Sequence, residues 1–147
     1  MYLLDTNHCS YIIENIPNVI ANLRSRSTTS IGVSIIPYAE LLYMTEKSAR
    51  QAENLVAVQN FLDTVDLYLI DEETALLYSR LKFDVFNQFA PKDKNKRRST
   101  KIEQLGFSDH DLWIAATALQ HSLILVSGDR DFQRIQTVQN FPLESWC

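Results

Sequence analysis

A chain of 147 residues, 46% hydrophobic and 22% charged, is long enough to bury a core and fits one soluble globular domain, not a disordered one. No apolar run reaches the roughly 18 residues of a membrane span, and no basic stretch followed by an apolar one opens the sequence, so neither insertion nor secretion is expected. The formal charge of -4 weighs weakly against nucleic acid unless the acids gather around cations, and two cysteines far apart, Cys9 and Cys147, suit a reducing cytoplasm better than a disulfide framework or zinc site.

In chain order, "MYLLD" reads as a short apolar strand ending on Asp5. "TNHCSYIIENI" and "PNVIANLRSR" have helical spacing, with Pro17 suited to a first turn. "TSIGVS", Thr29 to Ser34, is a second strand, and "IPYAELLYMTEKS" a helix with Pro37 near its start. "RQAENLVAVQNFLDTV" follows as a helix with Leu55, Val58, Phe61 and Leu62 on its apolar face. "DLYLI" is a third strand. "DEETALLYSRLKFDVFNQF" is a long helix whose Asp71, Glu72 and Glu73 sit where the dipole favours acids. "PKDKNKRRSTK" carries Lys92, Lys94, Lys96, Arg97, Arg98 and Lys101 and reads as a basic loop. "SDHDLWIAATALQ" is a helix, "SLILVSG" a fourth strand and "FPLESW" a short terminal strand. Strands alternating with helices predict an α/β fold with a central parallel sheet flanked by helices.

In such folds ligands bind beyond the carboxyl ends of the strands, which selects among the eighteen acids. Asp5 ends strand one, and Asp129 follows strand four. Glu40 lies about a turn into the helix leaving strand two. Asp111, in the first turn of the helix before strand four, is permitted at the same edge. Clustered carboxylates repel unless a hard cation such as Mg²⁺ or Mn²⁺ takes their oxygens. Each acid also has a plain structural reading. Ser108 with Asp111 fits a capping box, Glu40 an exposed helix position, and Asp129 and Asp131 a turn. No His/Cys constellation competes: His8, His110 and His121 form no metal-binding helix motif, and no phosphate-binding glycine loop or nucleophile elbow is present. A phosphatase with Asp5 as nucleophile would want a second Asp where Asn7 stands.

"LLDTN", the Ser34 to Glu40 spacing, "HDLWIAATAL" and "LILVSGDRDF" in this order resemble the PIN-domain proteins, in particular the VapC toxins of bacterial type II toxin–antitoxin pairs. The resemblance covers most of the chain as one PIN-like domain over residues 1–147, a three-layer fold. It implies a Mg²⁺- or Mn²⁺-dependent endoribonuclease acting on tRNA, rRNA or mRNA, cytoplasmic, dimeric and held inactive by an antitoxin. Carried over, Asp5, Glu40 and Asp111 take the core acidic places and Asp129 a more variable fourth. Asp109 is the rival to Asp111, and Asp131 to Asp129. Thr6 or Asn7 would orient Asp5 through hydrogen bonds. The chain departs from the family in a longer, basic connection at about 90–107. Lys94, Lys96, Arg97 and Arg98 there would bind RNA or an acidic antitoxin segment, or form a solvated insertion. A PIN nuclease of RNA processing without an antitoxin, and an RNA-binding module without metals, are the other readings.

Overall fold

Five short strands line up in the computed structural model, which describes residues 1–147. They are β1 (Tyr2–Leu4), β2 (Ile31–Ser34), β3 (Asp66–Tyr68), β4 (Ile124–Val126) and β5 (Leu143–Glu144). Their order across the sheet is β3-β2-β1-β4-β5, and every neighbouring pair is parallel. The chain leaves β1 toward β2 and β3 on one side and later returns to place β4 and β5 on the other. The carboxyl ends of β1 and β4 therefore flank a topological switch point, where loops diverge and leave a crevice.

Parallel strands must be covered on both faces, and the side-chain alternation of β1 shows how. Leu3 packs into one core with Leu125, Leu81, Leu112 and Phe132. Leu4 packs into the opposite core with Val33, Val126, Leu41 and Trp146. The first face is covered by α5 (Glu72–Phe89), α7 (Asp109–His121) and α8 (Arg130–Gln136), the second by α1 (Thr6–Ile13), α2 (Pro17–Ser25), α3 (Ile35–Glu46) and α4 (Gln51–Leu62). The three-layer α/β reading of the sequence is the observed one. Pro17 opens α2, and Asp71 caps α5 in a reciprocal pair with Thr74, at 3.0 Å in each direction.

Two expectations need correction. The basic stretch is not a loop: Asp93 caps a short helix α6 (Lys94–Ser99), and a 3₁₀ turn follows over Ile102–Leu105. Arg97 ties α6 down, reaching Asn87 Oδ1 at 2.6 Å and the Pro91 carbonyl at 3.3 Å while lying over the Phe86 ring. Gly106 ends the turn at φ +85°, a conformation a side chain would strain. The second correction is α8, for which no element was expected. Its seven residues make only two turns, too few for a helical period to stand out.

Candidate active site

Asp5 ends β1 and caps α1, its carboxylate accepting the His8 amide N–H at 2.8 Å. Only 4% exposed, it needs further donors, because a buried carboxylate without them is costly. His8 Nδ1 supplies one at 2.9 Å and the Ser127 hydroxyl another at 2.5 Å. His8 is itself wholly buried, and its Nε2 accepts the Trp146 amide N–H at 3.4 Å. An accepting Nε2 leaves the proton on Nδ1, so the neutral ring acts as a fixed donor to Asp5. These are the groups that orient Asp5, and the roles expected of Thr6 and Asn7 are not the observed ones. The Thr6 hydroxyl donates to Glu40 Oε2 instead. Asn7 is an exposed residue of the cleft wall.

Glu40 comes from α3, which begins as soon as β2 ends because Ser34 caps it, accepting the Ile36 N–H at 3.3 Å. Its other oxygen meets the ring of His110, so the two carboxylate oxygens have separate partners. Asp111 lies in the first turn of α7. The helix is capped by Ser108, which takes the His110 N–H at 3.1 Å, and no reciprocal capping box with Asp111 forms. Asp111 is thus free for the cleft. Its pKa is pushed up to about 7, first by burial and then by the charges of Asp129, Asp131, Glu40 and Asp5.

Asp129 caps α8, accepting the Asp131 N–H at 2.9 Å. Ser127 accepts the Asp129 N–H at 3.0 Å while giving its own proton to Asp5, and so couples the ends of β4 and β1. Asp5, Thr6, Asn7, Glu40, Asp111 and Asp129 line a single cleft of about 320 Å³. Asp131, the rival acid, is also brought in: carboxylate oxygens of Asp111, Asp129 and Asp131 lie within 4.8 Å of one another, though Asp131 also pairs with Arg134 at 3.2 Å. Asp109 is directed elsewhere. It binds Lys82 at 2.8 Å and the Tyr78 hydroxyl at 2.5 Å, and these hydrogen bonds hold its pKa below the usual carboxylate range.

The basic residues stand apart from this cleft, which none of residues 90–107 lines. Lys94, Lys96 and Arg98 of α6 are exposed, whereas Arg97 is partly covered and bound to α5. His8 and Ser127 are the site residues that motif spacing did not single out. Both depend on contacts across the fold, Ser127 with a residue 122 positions away.

The donor set is oxygen only, and burial together with neighbouring carboxylates pushes the pKa of one member, Asp111, up to about 7. A hard divalent cation fits such a set, supplying the positive charge that the protein leaves out.

A family model described as the PIN domain matches residues 2–138. The chain is similar to the tRNA(fMet)-specific endonuclease VapC of Salmonella typhimurium, 26% identical over 147 residues and covering 99% of this chain and 98% of that protein. It is likewise similar to the ribonuclease VapC2 of Rickettsia felis, 29% identical with the same two coverages. Among solved structures, VapBC2 from Rickettsia felis bound to a promoter DNA fragment superimposes with a TM-score of 0.80 at 25% identity, over 99% of this chain and 98% of that one. With the acids of β1, α3, α7 and α8 gathered at the switch point and the family match running nearly end to end, the chain belongs to the PIN-domain family.

Proposed function

We propose that this chain is a Mg²⁺- or Mn²⁺-dependent endoribonuclease and the toxin of a type II toxin–antitoxin pair. The observation that carries the reading is the convergence of Asp5, Glu40, Asp111 and Asp129 on one open cleft. These four would hold the cation, with Asp131 beside them. When bound, it would supply an activated water and neutralise charge on a phosphodiester. Asp5 is pinned by three donors, so its oxygens need no reorganisation when substrate enters. Thr6 and His110 keep both Glu40 oxygens turned to the cleft. Lys94, Lys96 and Arg98, which are exposed, would meet phosphates of the RNA outside it.

The names of the curated relatives support RNA as substrate, and the VapBC complexes among the solved structures support an antitoxin partner. A homodimer is part of the proposal. The edge strand β3 pairs on one side only, and Leu67 and Leu69 project from its neighbourhood with 45% and 61% exposure.

RNA hydrolysis should therefore require Mg²⁺ or Mn²⁺ and stop in EDTA. Asp5→Asn and Asp111→Asn should each abolish it while leaving circular dichroism unchanged. Undiminished cleavage in EDTA, or by either variant, would overturn the assignment. Expression of the chain in a growing cell should arrest growth, and co-expression of its genomic neighbour should relieve the arrest. Harmless expression of a folded chain that cuts RNA would point to a PIN nuclease of RNA processing instead.

A further inference from the structure

A second concave surface lies on the other side of α7 from the acidic cleft. It is a groove of about 590 Å³ between α5 and the 3₁₀ turn, lined among others by Tyr78, Lys82, Phe83, Thr100 and Lys101. Phe83 is 64% exposed, more than any other large apolar side chain of the protein. Its aromatic neighbours are committed elsewhere. Tyr78 stacks on Trp113 at 3.8 Å between ring centroids and 3° between planes, and Phe86 faces the Arg97 guanidinium at 5.1 Å. Phe83 alone offers a free ring face.

We infer that this groove binds an unpaired nucleotide of the RNA strand flanking the scissile bond, its base stacked on Phe83 and its phosphates met by Lys101 and the free cations of α6. The inference deepens the ribonuclease reading and depends on it for the identity of the strand.

Charge complementarity chooses the occupant. The chain as a whole is acidic, yet Lys92, Lys94, Lys96, Arg98 and Lys101 are all exposed within ten positions of one another, and none makes an ion pair. Arg97 docks α6 on α5 and so fixes these cations at the end of the groove that Thr100 and Lys101 form. Glu103 is the one acid on the lining, and Lys82 is neutralised by Asp109, which leaves Lys101 as the free charge inside. An open aromatic face beside free lysines is the combination that holds single-stranded nucleic acid, since every base has a face to stack and every linkage a phosphate. A docked protein segment is the competing occupant, since Ser79, Thr100 and Lys101 share the lining with Phe83, Phe86 and Ile102, and the binding experiment separates the two.

Continuity with the cleft comes from α7. Asp109 and Asp111 occupy its first turn but face opposite ways, Asp109 toward Lys82 and Tyr78 at the groove, Asp111 into the acidic cleft. A strand crossing the exposed start of α7 need span only about one helix diameter, ~10 Å, to reach from one to the other.

The test is binding of a fluorescent twelve-nucleotide oligoadenylate to the full chain in EDTA, read beside cleavage of the same oligomer in Mg²⁺. Phe83→Ala should weaken binding about 5- to 150-fold, the worth of one stacked base, while Phe83→Tyr retains it. An abasic oligomer should bind both alike. Lys101→Gln should flatten the log–log salt slope of binding by about 0.7. Because Phe83 is exposed, its variants should keep the wild-type melting temperature. Phe83→Ala binding as tightly as wild type overturns the inference. So does a loss confined to association with a partner protein, which would make the groove a protein-docking site. Binding is read apart from cleavage, so a chain that binds through Phe83 yet cuts no RNA keeps the stacking site and overturns only its placement beside a scissile bond.

Discussion

Asp111 is the residue whose chemistry is least settled by the protein alone, and its behaviour is open to measurement. Its folded pKa stands at about 7, against roughly 3.9 for a free Asp. Between those values the folded chain keeps a proton that the unfolded chain has released, so metal-free stability falls as pH rises across that window. Asp111→Asn removes this penalty. The full shift is not a stability gain, because the site is open to solvent and screening reduces it; about 1 kcal/mol is expected, or ~2–4 °C in melting temperature. In EDTA at pH 7.5 the Asn variant should therefore melt above wild type. Added Mg²⁺ should raise wild type more than the variant and reduce or reverse the order, since a ligand stabilises in proportion to its affinity for the folded state. A variant that melts below wild type in EDTA would show that burial and repulsion do not penalise the Asp111 carboxylate in the folded chain. Asp5 and Asp129 were legible beforehand because a strand end and the residues just after it are positions that sequence polarity can find. The contribution of His8 was not. Its ring points at Asp5 from one turn along α1, but what makes it a donor is the Trp146 amide, 138 positions away.

At the scale of elements, α7 is positioned by α5, and the Asp109 carboxylate is the polar part of that contact. One of its oxygens takes both the Lys82 ammonium and the Tyr78 hydroxyl, and Tyr78 stacks on Trp113 one turn further along α7. Because the folded pKa of Asp109 is lowered, its contribution is fully present above the ordinary carboxylate value and is lost as pH falls through the folded one. Both charges are more than a third exposed, so the expected worth is about 0.5–1 kcal/mol. Asp109→Ala should cost that much at pH 7 and progressively less as pH falls below the ordinary carboxylate value, by chemical denaturation across pH. Its Mg²⁺ requirement for cleavage should stay that of wild type, which separates Asp109 from Asp111, two residues away. The long helices α3, α4, α5 and α7 could be read from spacing because each makes three or more turns. The short α6 and α8 could not. α6, Lys-Asn-Lys-Arg-Arg-Ser, has no apolar residue to mark a face, and its fold depends on an aspartate cap and an arginine docked on Phe86. Strand existence was legible throughout, while the strands proved shorter than the apolar runs that announced them, ending where α1, α3 and α8 acquire their caps.

For the whole molecule, sheet order and surface shape together set how a partner could silence the site. Placing β1 between β2 and β4 opens the crevice that collects the acids, and the same arrangement sets α1, α3 and α4 side by side on one face. Between those helices runs a smaller apolar groove of about 200 Å³, lined by Ile13, Leu41, Met44, Ala57 and Val58. Met44 lines both that groove and the acidic cleft, so the two are continuous. An inhibitory segment could lay apolar side chains in the groove and direct an arginine past Met44 among Asp5, Glu40, Asp111 and Asp129. A guanidinium matches a carboxylate with two parallel hydrogen bonds and relieves the repulsion that the cation would otherwise relieve. Guanidinium and Mg²⁺ would then compete for the same oxygens. Inhibition of RNA cleavage by the co-expressed neighbour should accordingly weaken as Mg²⁺ is raised at constant ionic strength. Met44→Lys should impair it further by placing a like charge in the path of the arginine. Inhibition indifferent to Mg²⁺ would place the partner elsewhere, most simply over the mouth of the cleft at Tyr43, which is 62% exposed, where it could exclude RNA without touching the acids.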